Sequence, residues 1–194
     1  MKNWIKGVGF VVMAAGLLVT GCHTKPHVDS DGTMFDYMQK ESAKIAEKGG
    51  MASVGLGESR NTQLAISKAK VEARKNLAQL VQIKLDNLEK AFKEEIGAGS
   101  GSELNALFSS TTKQLTTQTL QGTVPKMQKY EINDGITTAY VLMVLDPEVI
   151  SDSLKNNAAK HLYERFRSTQ AFDELDREVK AYKAAEVEAM KALK

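Results

Sequence analysis

The sequence is poor in the residue types from which catalytic and metal sites are usually built. It contains one cysteine, Cys22, and three histidines. A lone cysteine excludes an intramolecular disulfide, and no histidine has neighbours at the spacing of a zinc site. Neither a Gly-x-Ser-x-Gly elbow nor a Walker lysine motif occurs. We therefore expect no cofactor, no metal and no enzymatic activity.

A long apolar run is also missing. Residues 7–19 are apolar, but a membrane-spanning helix needs about 18 or more such residues. Lys2 and Lys6 precede the run, and this arrangement is typical of a secretory signal peptide over residues 1–21. The run ends in the sequence VTGC rather than the usual Ala-x-Ala. This ending resembles the bacterial lipobox, an aliphatic residue, two small residues and a cysteine.

The lipobox resemblance makes Cys22 the predicted lipidation site. In proteins that carry a lipobox, the cysteine sulfur takes a diacylglycerol, the signal peptide is cut just before it, and the new amino group is usually acylated. Two or more acyl chains give stable anchoring, whereas one gives only marginal membrane binding. The alternative is a chance cysteine behind a transmembrane anchor.

Cleavage before Cys22 would also remove the excess of positive charge. The chain has 26 basic and 24 acidic residues, and residues 1–21 contain two lysines and no acid. The remaining chain would then carry 24 residues of each sign. A neutral chain gives no electrostatic argument for nucleic-acid binding. The partners we expect are membrane lipid, through acylated Cys22, and envelope proteins or further copies of the chain.

The first part of the remaining chain predicts a tether, a helix and a strand. Residues 22–33 are polar and predict a tether. Residues 34–48 predict a short helix that ends at a glycine pair. Residues 51–57 predict a strand. One face of this strand carries Ala52, Val54 and Leu56.

A long helix is predicted next, capped by Ser59 or Asn61 and running to about residue 96. A stripe of small residues recurs every four positions along it: Ala65, Ala69 and Ala73. Such a stripe favours close approach to a sheet. The preceding Gly55 and Gly57 resemble the start of a dinucleotide fingerprint, but Arg60 occupies the third glycine position. We therefore expect these glycines to allow a bend between strand and helix.

The middle of the chain predicts a second helix and a hairpin. Residues 97–102 are rich in glycine and serine and indicate a break, and a helix is expected over 103–120. Two strands, 123–132 and 136–145, flank the turn sequence Asn-Asp-Gly. The first contains a proline, which suits an edge strand. The second is apolar on both faces in its latter half, which indicates the central strand.

These elements predict an α+β domain over residues 34–156. Asp146 and Pro147 should begin another helix directly after the hairpin. The order of elements favours a small, mainly antiparallel sheet packed by long helices on one side.

A long C-terminal helix is predicted from residue 157 to 194, because the segment is rich in alanine, lysine and glutamate. Apolar residues recur along it at alternating spacings of three and four, apart from Glu186, which occupies one position of the pattern: Phe172, Leu175, Val179, Tyr182, Ala189 and Leu193. This stripe could be a seam for a partner helix or a face packed on its own domain, and the sequence favours neither. Arg74, directly behind the alanine stripe, is a further candidate for partner binding.

Part of the chain resembles the Lpp-twenty lipoprotein family. The resemblance lies in ASVGLGESRNTQLAISKAKVEARKNLAQLV, residues 52–81, where a strand ending near Gly-x-Gly leads into a helix reaching an Ala-Arg pair. The stretch TTAYVLMVLD, residues 137–146, is similar to the family's closing strand. The resemblance implies an outer-membrane lipoprotein with a compact α+β domain that serves assembly rather than catalysis. Relatives include flagellar accessory lipoproteins.

Two functions fit these features. The first is a lipid-anchored structural or interaction module of the cell envelope, facing the periplasm. The second is a periplasmic module that holds a small ligand between sheet and helices. His23 follows Cys22, and the usual sorting rule keeps lipoproteins in the inner membrane when an aspartate stands there. Its absence favours the outer membrane.

Overall fold

A computed structural model describes residues 33–96 and 101–192. The described part contains six helices and three strands: α1 Met34–Glu47, β1 Met51–Ser59, α2 Thr62–Ile96, α3 Gly101–Gly122, β2 Pro125–Asn133, β3 Ile136–Leu145, α4 Glu148–Asn157, α5 Lys160–Arg167 and α6 Gln170–Ala192. The α+β class predicted from sequence is confirmed. The signal peptide, Cys22 and nearly all of the tether lie outside the described residues.

The three strands form one antiparallel sheet in the order β1-β3-β2. The apolar strand β3 is central and the proline-containing β2 lies at an edge, as predicted. Asp134 (φ 51°) and Gly135 (φ 73°) link β2 to β3 in a two-residue turn. Positive φ at both positions is the type I′ geometry that Asp-Gly favours in hairpins. The predicted hairpin is confirmed.

One face of the sheet packs directly on α2. Ala65, Ala69 and Ala73 are fully buried there. A Cβ added at Gly55 would lie 2.2 Å from the carbonyl oxygen of Ala69, and one at Gly57 would lie 2.3 Å from that of Ala65. The stripe thus brings helix and sheet into close contact, as predicted.

The predicted role of Gly55 and Gly57 was wrong. Both lie inside β1, which continues without interruption to Ser59, so they do not form a bend between strand and helix. They are needed because any side chain at these positions would collide with the backbone of α2. The helix begins afterwards, where Asn61 Oδ1 accepts a hydrogen bond from the Leu64 N–H at 3.0 Å.

Helices also cover the opposite face of the sheet, which corrects the expectation of helices on one side. A buried cluster joins this face to α1 and α6: Met38, Ile45, Ala52, Val54, Tyr140, Leu142 and Tyr182. Ala52 and Val54 therefore lie where the strand pattern put them. Leu56, expected on the same buried face, is 40% exposed, because these helices do not extend over that end of β1.

The second half of α2 extends beyond the sheet and carries a helical core. At about 1.5 Å per residue, its 35 residues span about 50 Å. The larger buried cluster joins this half to α3, α4, α5 and α6. Phe166 of α5 lies at its centre, with ring centroids 5.3 Å from Phe92 and 6.4 Å from Phe108.

The predicted single helix over residues 157–194 is wrong. Residue 157 ends α4, and the remainder divides into α5 and α6 around Ser168 and Thr169. The break has a local cause, because Thr169 Oγ1 accepts a hydrogen bond from the Phe172 N–H at 3.3 Å and starts a new helix. Both helices contribute to the same core as α2, so they are not an extension separate from the 34–156 domain.

Candidate functional site

The middle of the predicted C-terminal seam, three of its six residues, is buried inside the domain. Leu175 is fully buried, and Val179 and Tyr182 are 9% and 6% exposed. Leu175 and Val179 belong to the helical core, while Tyr182 closes the face of the sheet opposite α2. The interpretation as a partner seam is therefore wrong for these three residues. The other interpretation, packing on the same domain, is the correct one.

The two ends of the seam differ from its middle. Phe172 is half-buried and packs edge-on against Phe166 and Tyr163, at 5.6 Å and 6.4 Å between ring centroids. Ala189 is exposed. Leu193 lies outside the described residues. The stripe therefore changes from core to surface along α6, and its exposed end carries one small side chain.

Tyr182 illustrates how tightly α6 is held. Its ring lies against Gly50, where an added Cβ would come within 2.5 Å of Cε2. Burial, with a hydrogen bond to Glu186, raises the pKa of Tyr182 to about 12. The hydroxyl therefore stays neutral at physiological pH and acts as a packing and hydrogen-bonding group.

Arg74 has a structural partner inside the chain. Its Nη2 donates to the backbone carbonyl of Thr123 at 3.0 Å, which ties α2 to the connection between α3 and β2. Its Nε is buried and has no hydrogen-bond partner in the structure. The side chain is partly buried in this role, so Arg74 is not a freely exposed contact for another protein.

Within the described ranges, no group of three or more His, Cys, Asp or Glu side chains is placed to hold a metal ion. His161, the described histidine, contacts Glu103 at 3.1 Å on the surface. No helix among the described residues is long and apolar enough to cross a membrane.

The surface of the described residues carries several open grooves, of which two border β1. One, of about 540 Å³, lies where α1, β1 and α6 meet and contains the Lys84–Glu178 ion pair at 2.6 Å. The other, of about 730 Å³, runs beside β1 and is lined partly by Leu56, Leu64 and Val71. The first does not lie between the sheet and α2. The second lies at the outer margin of their contact, since β1 and α2 both line it, and backbone contact closes the space further in.

The clearest unoccupied surface is the outer edge of β2. Every residue from Gln128 to Asn133 is exposed, including two large apolar side chains, Tyr130 at 53% and Ile132 at 59%. Their β3 partners, Ala139 and Thr137, are buried under α2. These two side chains therefore extend the α2-facing side of the sheet beyond the area that the helix covers.

Sequence reasoning identified this edge strand but not its exposed apolar face. The signal was present, because Tyr130 and Ile132 alternate with Lys129 and Glu131. Such alternation predicts one buried face, and it does not say whether the cover comes from the same chain or another.

No family model matches the chain, and no curated protein or solved structure is significantly similar to it.

Proposed function

We propose that this protein is a lipid-anchored outer-membrane lipoprotein that works as a structural or interaction module of the cell envelope. The ending VTGC behind a basic start and a short apolar run is the single observation that carries the proposal. Lipidation at Cys22 would fix the mature chain to the membrane and leave the α+β domain on the periplasmic side.

The character of the domain supports an interaction role over a catalytic one. The Lys183–Glu148 ion pair lies on the surface, and the Lys84–Glu178 ion pair is partly buried and joins α2 to α6. The domain's exposed large apolar side chains lie on helices and strands alike, and those on the sheet include Leu56 on β1 and the neighbouring pair Tyr130 and Ile132 on β2. Exposed apolar groups of this kind are typical of protein contact sites.

The narrower proposal is membership of the Lpp-twenty family, with an accessory role at the flagellum. It rests on the resemblance of residues 52–81 and 137–146. The strand, close-packed helix and closing strand expected from that resemblance correspond to β1, α2 and β3. Loss of motility without loss of flagellar filaments after gene deletion would support this role, and unchanged motility would count against it.

The alternative, a module that holds a small ligand between sheet and helices, has little room on the α2 side. Gly55 and Gly57 bring the two backbones too close for a ligand there. A ligand would have to use one of the open surface grooves, and these lack the enclosure that small-molecule sites usually provide.

The anchor is tested with Cys22→Ser. The unchanged chain should incorporate a labelled fatty acid, lose residues 1–21 and partition into detergent. The variant should keep its signal peptide and take up no label. Thr24→Ala, two residues away in the same segment, is the matched control and should behave like the unchanged chain.

The Cys22→Ser result also distinguishes a lipobox from a transmembrane anchor followed by a chance cysteine. If Cys22→Ser leaves size, label and partitioning unchanged, the lipidation proposal is refuted.

The choice between outer and inner membrane is tested with His23→Asp, which should move the protein from the outer- to the inner-membrane fraction. An unchanged distribution would count against outer-membrane sorting by this residue.

A further inference from the structure

We propose that the free edge of β2 pairs antiparallel with the same edge of a second copy of this chain, so that two three-stranded sheets join into one of six strands. The inference deepens the proposed interaction role, on which it rests, by naming the surface and the partner. It concerns residues 127–133, the part of β2 that pairs regularly with β3 beyond the irregularity at Pro125.

The edge is available for pairing. Gln128–Asn133 are all exposed, and an edge strand presents unpaired N–H and C=O groups on its outer side. The other edge strand is less open. Two carbonyls of β1, those of Val54 and Glu58, already accept hydrogen bonds from α2, through Asn76 Nδ2 at 3.1 Å and Lys68 Nζ at 2.9 Å.

Symmetry limits the possible registers. Directly opposed side chains in an antiparallel pair share a face, and neighbouring residues of a strand point to opposite faces. Pairing about a two-fold axis must therefore place one residue opposite its own copy. Lys129, Tyr130 and Glu131 are the candidates nearest the middle of the strand.

Charge selects Tyr130 among these three. A register centred on Lys129 opposes two lysines, and one centred on Glu131 opposes two glutamates. The register centred on Tyr130 places Lys129 opposite Glu131 of the partner subunit, and by symmetry does so twice. Like charges directly opposite one another destabilise strand pairing, whereas opposite charges stabilise it.

The apolar face agrees with the same register. Tyr130 lies opposite its own copy, with Ile132 and Gln128 opposite each other on either side. Both Tyr130 and Ile132 are more than half exposed in the single chain, and pairing would cover them. Lysines on an edge strand usually oppose pairing with other strands. Here Lys129 opposes pairing in the register centred on itself, and it favours the register centred on Tyr130, where it lies opposite Glu131 of the partner subunit.

The register is tested with single cysteines in the full-length chain purified in detergent. Opposed Cα atoms in an antiparallel pair are about 4.5–5.5 Å apart, within the range that a disulfide bridges. Tyr130→Cys should therefore form covalent dimers under mild oxidation. Ile132→Cys is the matched control on the same face, and its copies would lie about 14 Å apart along the strands.

The outcomes separate this proposal from the lipidation proposal. Cross-linking of Tyr130→Cys well above that of Ile132→Cys supports the dimer, and equal or absent cross-linking overturns it. The unchanged chain reports on Cys22 alone, because an acylated cysteine cannot form a disulfide. Cross-linking of the unchanged chain would count against lipidation, and the two variants would then be compared in a chain that also carries Cys22→Ser.

Charge exchange provides a second test that does not depend on cysteine. Lys129→Glu and Glu131→Lys each place like charges opposite one another, so each variant alone should dimerise more weakly by about tenfold or more. A mixture of the two should restore dimers, because positions 129 and 131 are both acidic in one variant and both basic in the other. Sedimentation of each variant and of the mixture measures this. Monomers at all concentrations of the unchanged chain, or no recovery in the mixture, would overturn the proposal.

Discussion

At Gly55 and Gly57 the main chain of β1 touches that of α2. The absence of a Cβ permits this contact, and the facing helix supplies the fully buried alanines Ala65, Ala69 and Ala73 together with the Cβ of Lys68. Ser53 contributes to the same interface, where its Oγ donates to the Ala73 carbonyl at 2.6 Å. The interface therefore depends on small residues on both sides, and a single methyl group should disturb it.

We expect Gly55→Ala to destabilise the protein by about 1–3 kcal/mol or more, the usual cost of overpacking a tight core. The added Cβ would lie 2.2 Å from the Ala69 carbonyl oxygen and 2.3 Å from the Ala73 nitrogen, and neither backbone atom can easily move. Urea unfolding measures the change. Gly101→Ala is the control, since nothing lies within 4 Å of its Cβ position. Equal stability of the two variants would contradict the proposed contact.

At the scale of whole elements, the start of α6 is capped by a residue far away in the sequence as well as by the local Thr169. Glu95, near the end of α2, accepts hydrogen bonds from the N–H groups of Gln170 and Ala171 at 2.8 and 3.1 Å. These groups have no partner within the helix, and a negative charge at this end also interacts favourably with the helix dipole. With Thr169, the contact fixes where α5 ends and α6 begins.

Glu95→Ala should therefore cost about 1 kcal/mol, the typical value of a lost N-terminal cap. Its neighbour Glu94 is also exposed but makes no such contact with α6, so Glu94→Ala should leave stability nearly unchanged. Thermal and urea unfolding of both variants measure the difference. The cap assignment is wrong if the two variants unfold alike.

For the molecule as a whole, α5 and α6 complete the core that the rest of the chain begins. The buried cluster along the second half of α2 includes Leu162, Phe166 and Leu175 from these helices. A chain without them would leave the opposing apolar groups of α2 and α3 in water. Removal of the C-terminal segment is thus a test of folding and would not report cleanly on oligomerisation.

We expect a chain that ends at Asn157 to lose cooperative unfolding and to bind a hydrophobic dye, because much of the large cluster would be exposed. A chain that ends at Glu186 retains Tyr182 and its Glu186 contact, and removes only exposed positions of α6 together with residues 193 and 194. It should unfold almost like the full chain. Near-ultraviolet circular dichroism and urea titration distinguish the two, and native-like unfolding of the shorter chain would refute this account of the core.

The sequence by itself determined the features that rest on local chemistry. Asp134 and Gly135 specify the hairpin turn through positive φ, Asn61 caps α2, and the run of apolar residues in β3 identifies the central strand. In each case the physical cause of the feature lies in one residue and its near neighbours in the sequence. The alanine stripe also predicted close packing, since only small side chains permit it.

The tertiary structure decided which surface each apolar face meets. The stripe of Leu175, Val179 and Tyr182 has the same periodicity whether it packs on a partner or on its own domain, and the fold buries it within the domain. The alternation at Tyr130 and Ile132 equally predicted a buried face, yet both remain exposed because α2 packs mainly on β1 and β3 on that side. The periodicity of apolar residues shows that one face of a helix or strand is apolar. The arrangement of the other elements determines whether another part of the chain covers that face.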